Sequence, residues 1–232
     1  MAGVAPDPLD DLAVMLRPIP VSGPGVCRTC RGPILAGFAT CFSCAGHVRV
    51  LEAVADAVVP VSLAVKGGGF AQALWRYKYP DAEGRDSRQI LRRVLAGFLD
   101  RHEPCVAGAA GLAELEQVTV VPSARRTGIH PLAELVATLP RLRSRLCGFR
   151  GAGRAGPAGV LLLDDTWTTG WHAQRAAEWL KLAGVGRIVI LVLGRHVAAG
   201  GELGDRARSD AGFRWDACAV HRAGPGGRGY CW

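Results

Sequence analysis

The chain has 232 residues, 49% hydrophobic and 21% charged, so it is long enough for one or two domains and apolar enough to bury a core, which excludes a disordered protein. Its formal net charge of +8 comes from 25 Arg and only 3 Lys against 20 acids, a balance that suits phosphate-bearing partners, either nucleic acid or phosphorylated small molecules. No apolar run approaches the ~18 residues of a membrane helix, and the first twenty residues carry acids where a signal peptide carries bases, so the expectation is a cytoplasmic protein with no membrane span.

Residues 1–24 read as a flexible leader, because Pro6, Pro8, Pro18, Pro20 and Pro24 interrupt any long helix; at most one short helix fits, around Leu9–Leu16. Residues 25–47 form a compact Cys-rich module. From 48 to 198 strands alternate with helices. HVRVLEAVADAVV opens as a helix, VVPVSLAV (58–65) is a strand ending at Gly67-Gly68-Gly69, and FAQALWRYKYP carries an apolar face as far as Pro80. Apolar residues at Ile90, Leu91, Val94, Leu95, Phe98 and Leu99 give a helical stripe over 87–102. Glu116–Val121 is a buried strand leading into PSARRTG, and PLAELVATLP is a helix with Pro131 at its start. Gly159–Leu163 is an apolar strand running into Asp164-Asp165, Ala173–Leu182 is a helix closed by Gly184 and Gly186, and RIVILVLG is a further strand. Strands this uniformly apolar are covered on both faces, so the predicted fold is α/β, a mostly parallel sheet flanked by helices and preceded by a small zinc-ribbon-like module. Residues 199–232 form a Gly-rich tail, and there is no internal repeat.

Cys27-x2-Cys30 and Cys41-x2-Cys44 are two knuckles ten residues apart, each able to present two thiolates to one ion. Together they complete the tetrahedral shell of a structural Zn²⁺, with no open position for catalysis. Twenty-odd residues bury too little to fold alone, so the metal supplies most of the module's folding energy, and the module is expected to fold separately from the sheet. The other cysteines are less informative: Cys218-x2-His221 near Cys231 has ligand-like chemistry without a nominated fourth partner, and Cys105 and Cys147 have no assigned role. In a chain read as intracellular, eight cysteines point to metal or thiols rather than a disulfide framework.

Residues 125–154 hold seven Arg (Arg125, Arg126, Arg141, Arg143, Arg145, Arg150 and Arg154) against Glu134 alone. This is either the composition bias of an Arg-rich chain or a functional basic loop. The most informative stretch is VLLLDDTWTTG, where a buried strand ends in two carboxylates and a Thr/Gly loop opens a helix. Ligands of open α/β sheets bind outside the carboxyl ends of strands. Adjacent acids there can accept hydrogen bonds from a sugar diol and assist a hydrated Mg²⁺, while Thr hydroxyls and N–H groups at a helix start can cradle a phosphate.

That stretch resembles the phosphoribosyl-pyrophosphate (PRPP) signature of type I phosphoribosyltransferases. With the CxxC pair upstream, WRYKY (75–79) and TVVPSARRTG (119–128), the chain is similar over residues 27–195 to the ComF family, competence-associated phosphoribosyltransferase-like proteins with an N-terminal zinc module. The resemblance implies a phosphoribosyltransferase-like domain over 48–198. Asp164 and Asp165 would grip the ribose hydroxyls as the catalytic pair, and Thr166, Trp167, Thr168, Thr169 and Gly170 would bind the 5′-phosphate. Ser123, Arg125 and Arg126 would face the pyrophosphate, which carries Mg²⁺. The implied reaction is displacement of pyrophosphate by a nitrogen acceptor through an oxocarbenium-like transition state. The chain departs from the family's pattern at Trp171-His172, which sets a bulky ring beside the phosphate cradle, and at Thr127–Pro131, where acceptor recognition is expected. The alternatives are a non-catalytic PRPP-sensing or DNA-uptake accessory protein that contacts nucleic acid through the zinc module and Arg-rich loop, and a purely structural zinc-containing partner protein.

Overall fold

The computed structural model describes residues 8–20, 23–123, 128–152, 156–200 and 212–220. Four strands, β1 (Ala57–Val65), β2 (Gln117–Val120), β3 (Gly159–Trp167) and β4 (Arg187–Val197), form an all-parallel sheet in the order β1-β4-β3-β2. Side chains alternate between the two faces, as strand geometry requires. One face carries Val59, Val61, Leu161, Leu163, Val189 and Leu191; the other carries Val58, Val160, Leu162, Ile188, Ile190 and Val192. Both sets are buried, which is why these strands show no polar alternation. The helices are α1 (Asp10–Ala13), α2 (Phe42–Val50), α3 (Gly69–Arg76), α4 (Ala82–Gly108), α5 (Pro131–Ala137), α6 (Pro140–Arg143) and α7 (Trp171–Leu182). Side chains of α1, α3, α4, α5 and α6 pack into the first face, and α7 packs on the second. The chain is therefore an α/β protein. Among the described residues, no helix is long and apolar enough to cross a membrane.

Boundaries differ from the sequence expectation where tertiary packing overrides local signals. The helix expected from His47 onward is the end of α2, which stops at Val50. At 27 residues, α4 is longer than the 87–102 stripe. Asp81 caps its start by accepting from Gly84 N at 2.7 Å, and buried Cys105, Val106 and Ala107 carry it past Pro104. β3 runs four residues past Leu163, through both carboxylates to Trp167, because Asp164, Thr166 and Trp167 stay in register with Val192, Gly194 and Arg195.

The described part of the leader is core rather than loose chain. Leu9, Leu12 and Leu16 are buried around the short helix α1. Arg17 N donates to Ser62 Oγ at 2.8 Å, and Leu63 N donates to Arg17 O at 3.1 Å, which ties the leader to β1. Phe213 and Trp215 of the tail are buried in the same cluster, and Trp215 Nε1 donates to Leu9 O at 3.1 Å.

Part of the Arg-rich stretch runs along the edge of the sheet. Val118 N donates to Arg145 O and Cys147 N to Val118 O, so residues 145–147 run beside β2 as an added edge and not across the strand ends. Arg145 and Arg141 both bind Glu103 of α4, at 2.5 and 2.6 Å, and Arg141 also reaches Asp100 at 3.1 Å. Two arginines of this Arg-rich run thus pair with acids of α4, whereas Arg143 and Arg150 are exposed and Arg154 lies outside the described residues. Glu103→Ala should leave the half-buried Arg145 without its partner and lower stability by about 2–3 kcal/mol, or ~5–10 °C in Tm. A thermal melt reads this directly, and an unchanged midpoint would mean that water replaces the carboxylate at no cost.

Candidate functional site

The first element of the site is the four-thiol centre. A tight turn carries the first knuckle: Cys27 N donates to Gly32 O at 2.8 Å, and Arg31 N donates to Cys27 O at 3.0 Å. The second knuckle opens α2, whose first turn supplies Cys44. The Sγ atoms of Cys27, Cys30, Cys41 and Cys44 all lie within 4.8 Å of one another, and Cys30 and Cys41 are 3.8 Å apart. Four sulfurs at ~2.3 Å from a tetrahedral ion stand about 3.8 Å apart along each edge, so the group can hold a metal ion such as zinc. Cys41 N donates to Cys27 Sγ and Cys44 N to Cys41 Sγ, at 3.3 and 3.5 Å, which supports negative charge on sulfur. Hydrogen bonds from the neighbouring thiols hold Cys27 well below the ordinary thiol range, while the same neighbours push Cys44 well above it. Without a cation, the four cannot all be thiolates.

This centre is not a separate unit. Cys27, Cys30 and Cys44 share one buried cluster with Val160, Leu162, Trp167, Ala173 and Ile190. Arg195, buried at the end of β4, bridges the two parts. Its guanidinium donates to the carbonyls of Trp167, Thr168 and His196 at 3.0, 3.2 and 2.6 Å. A Cβ on Gly32 would lie 2.2 Å from Arg195 Nη2, so a larger residue there would displace that guanidinium.

The second element is the carboxyl edge of the sheet. Asp164 and Asp165 are consecutive residues of a strand and point to opposite faces. Asp165 is buried toward α3, where Tyr77 Oη donates to it at 2.5 Å and Lys78 Nζ stands 2.6 Å away. Asp164 is half-buried on the α7 face and accepts from Asp165 N at 2.9 Å. Burial, reinforced by the charge of Asp165, pushes the Asp164 carboxyl up to about 7.

At the end of the strand, Trp167 is fully buried, so its side chain packs and only its backbone faces the loop. Gly170 has φ +81°, and a Cβ there would lie 2.0 Å from the Trp167 ring; glycine is required both for the left-handed turn and for the contact. Thr168 and Thr169 are exposed at the start of α7, and Thr169 Oγ1 accepts from Trp171 N at 3.4 Å. The Trp171 ring stands 5.8 Å from His47 of α2 and under Arg175, and is thereby shared with the four-thiol module.

A cleft of about 390 Å³ opens beside this edge, lined by Lys66, Gln72, Trp75, Lys78, Thr166 and His196. Burial, then the charges of Arg195 and Lys66, lower the His196 pKa, so its imidazole is neutral near pH 7. Ser123 lines another cleft, of about 490 Å³, with His172 and Arg175 from the first turns of α7. Arg125 and Arg126 lie outside the described residues. Sequence reasoning missed Lys66, Arg195 and His196. The chain has 3 Lys, and two of them border the same cleft; that scarcity was the available signal.

The fold and this site define an α/β protein with a polar edge at the carboxyl ends of a parallel sheet, packed against a four-thiol centre. No protein-family model matches the chain, and no curated protein matches its sequence.

Proposed function

We propose that the chain is a phosphoribosyltransferase-like protein that binds PRPP with Mg²⁺ at the carboxyl edge of its sheet and holds one structural zinc at Cys27, Cys30, Cys41 and Cys44. The observation that carries the reading is the β3–α7 junction: an acidic strand end, two exposed threonines and a left-handed glycine at a helix start, beside a cleft bordered by Lys66 and Lys78. Such a junction suits a phosphorylated sugar, with hydroxyls and N–H groups for the 5′-phosphate and carboxylates for the diol. Mg²⁺ would accompany the diphosphate as a hard cation among oxygen donors. If transfer occurs, the anomeric C–O bond to diphosphate breaks, a C–N bond to the acceptor forms, and the acceptor nitrogen loses a proton. The protein's part is to orient the reactants and neutralise the leaving group.

Binding without transfer is the second reading, and one observation favours it. In the segment where acceptor recognition is expected, His130 serves as the N-cap of α5, accepting from Leu132 N at 3.1 Å through Nδ1, and Pro131 is the first helical residue. Among the described residues of the Arg-rich stretch, a nucleic-acid role beside the zinc module would rest on Arg143 and Arg150, since Arg141 and Arg145 are paired with α4.

Thermal melts with PRPP and Mg²⁺ test the reading. At a hundred times Kd, a ligand that binds only the folded chain stabilises it by ~2.7 kcal/mol, which raises Tm by ~5–10 °C. A melt that saturating PRPP with Mg²⁺ leaves unmoved would sink the proposal. In the same preparation, Arg143→Ala and Arg150→Ala should leave PRPP binding intact. If nucleic acid is a partner, each should also flatten the salt dependence of its binding by ~0.9 in log–log slope.

A further inference from the structure

A second group of metal-ligating side chains lies on the opposite face of the sheet from the four-thiol centre. A ring nitrogen of His102, Cys105 Sγ and Cys218 Sγ all lie within 4.8 Å of one another. His102 and Cys105 are three residues apart on α4 and so share one helix face. Cys218 reaches them from the C-terminal segment that buries Phe213 and Trp215. His102 is 2% exposed and Cys105 is 1% exposed, so the group is enclosed.

The orientation of His102 is that of a ligand. Its Nε2 lies 2.8 Å from Trp215 O, and a carbonyl only accepts, so the proton is on Nε2 and the Nδ1 lone pair faces the sulfurs. A ring nitrogen held by a backbone carbonyl while the other faces a metal is the usual outer-shell arrangement of metal-bound histidine. Nδ1 stands 3.9 Å from Cys105 Sγ, within the ~4.4 Å that ordinary Zn–N and Zn–S bonds together can span. The sequence repeats the spacing on both segments, His102-x2-Cys105 and Cys218-x2-His221, although His221 lies outside the described residues.

Cys105 is disulfide-bonded in this structure, against the expectation of metal or thiols rather than disulfides. A disulfide sulfur is a poor zinc ligand, so the bond and the ion exclude each other. We infer that, once the Cys105 disulfide is reduced, His102, Cys105 and Cys218 bind a second zinc ion that fastens the C-terminal segment to α4. The reduction consumes two electrons and two protons from a dithiol reductant and yields two thiols. Zn²⁺ then displaces the protons of Cys105 and Cys218.

The test is zinc stoichiometry of the full chain purified with a dithiol reductant and dialysed against metal-free buffer. Two zinc ions per chain are expected, falling to one in Cys218→Ser and in His102→Gln, and to one in wild-type protein oxidised with a diazene reagent before loading. Cobalt substitution supplies a second readout independent of the count. Loss of the mixed nitrogen–sulfur site in His102→Gln should remove the shorter-wavelength part of the visible cobalt absorption and leave the spectrum of the four-thiol centre. One zinc per chain in the reduced wild type, unchanged by Cys218→Ser, would overturn the inference, as would a cobalt spectrum that His102→Gln leaves intact.

Discussion

Cys30→Ser should remove zinc from the four-thiol centre and lower the melting temperature of the whole chain in a single transition. The expectation follows from shared burial: Cys27, Cys30 and Cys44 lie in the same apolar cluster as Val160, Leu162 and Ile190 of the sheet. Zinc bound by peptide-sized modules contributes on the order of 10 kcal/mol of apparent free energy, most of it folding energy. Serine presents an oxygen where the shell requires sulfur, and the remaining thiols then face one another without a cation. We expect a loss of at least ~5 kcal/mol and ~10–20 °C in Tm, with calorimetry showing one peak rather than two. Two separate peaks, with the upper one unmoved, would mean that the cysteine module folds independently after all. Strong chelation of the wild type should reproduce the variant's melt.

The second large effect is a contrast between neighbouring carboxylates. Asp164 and Asp165 stand on opposite faces of β3, so replacing each by Asn should move stability in opposite directions. The Asp164 carboxyl is pushed up to about 7 by burial and by the charge of Asp165, from an ordinary value of 3.8. Between those values the folded chain binds more protons than the unfolded chain, so this residue's contribution becomes less favourable as pH rises from ~4 to ~7 and is constant above. Asp164→Asn should therefore stabilise the protein at pH 8, by about 2 kcal/mol once solvent around the half-buried side chain is allowed for, and do nothing at pH 3. Asp165→Asn removes the charge that Lys78 and Tyr77 hold, at a cost of ~1–2 kcal/mol. If both carboxylates grip a ribose diol, each variant should also lose roughly ten- to a hundredfold in PRPP affinity, since hydrogen bonds to charged groups contribute ~1.5–3 kcal/mol. Stability that moves as described, with no PRPP binding in the wild type, would leave these residues a purely structural role.

How far the fold was legible depended on how local its signals were. All four strands could be read from the chain because runs such as Val160–Leu163 and Ile188–Leu193 are apolar at every position, a pattern that both faces of a covered sheet impose. The four thiols were legible because metal geometry constrains spacing directly. The leader was misread because Pro18 and Pro20 rightly exclude a long helix but say nothing about Leu9, Leu12 and Leu16, which are buried by residues distant in sequence. The Arg-rich stretch stayed open between two readings for the same reason: Arg141 and Arg145 look unbalanced until α4 brings Glu103 beside them. At the site, the acids and threonines could be read from order alone. The burial of Trp167, the pairing of Asp165 with Lys78 and the grip of Arg195 on the loop carbonyls could not, because each joins segments that only the folded sheet brings together.

The hydrogen bond from Trp215 Nε1 to Leu9 O joins residues 206 positions apart, and this has a consequence for biosynthesis. A ribosome emits Trp215 206 residues after Leu9, so the contact between them can form only once all four strands have been made. Until Trp215 leaves the exit tunnel, Leu9, Leu12 and Leu16 lack Phe213 and Trp215, two members of their buried cluster. Contacts of such long range close slowly, because loop entropy must be overcome before they form. Between emergence of β4 and arrival of Trp215, the nascent protein thus still presents apolar surface of that cluster to chaperones. Release of the chain stalled after residue 200 should yield a species that binds them far more strongly than the finished one.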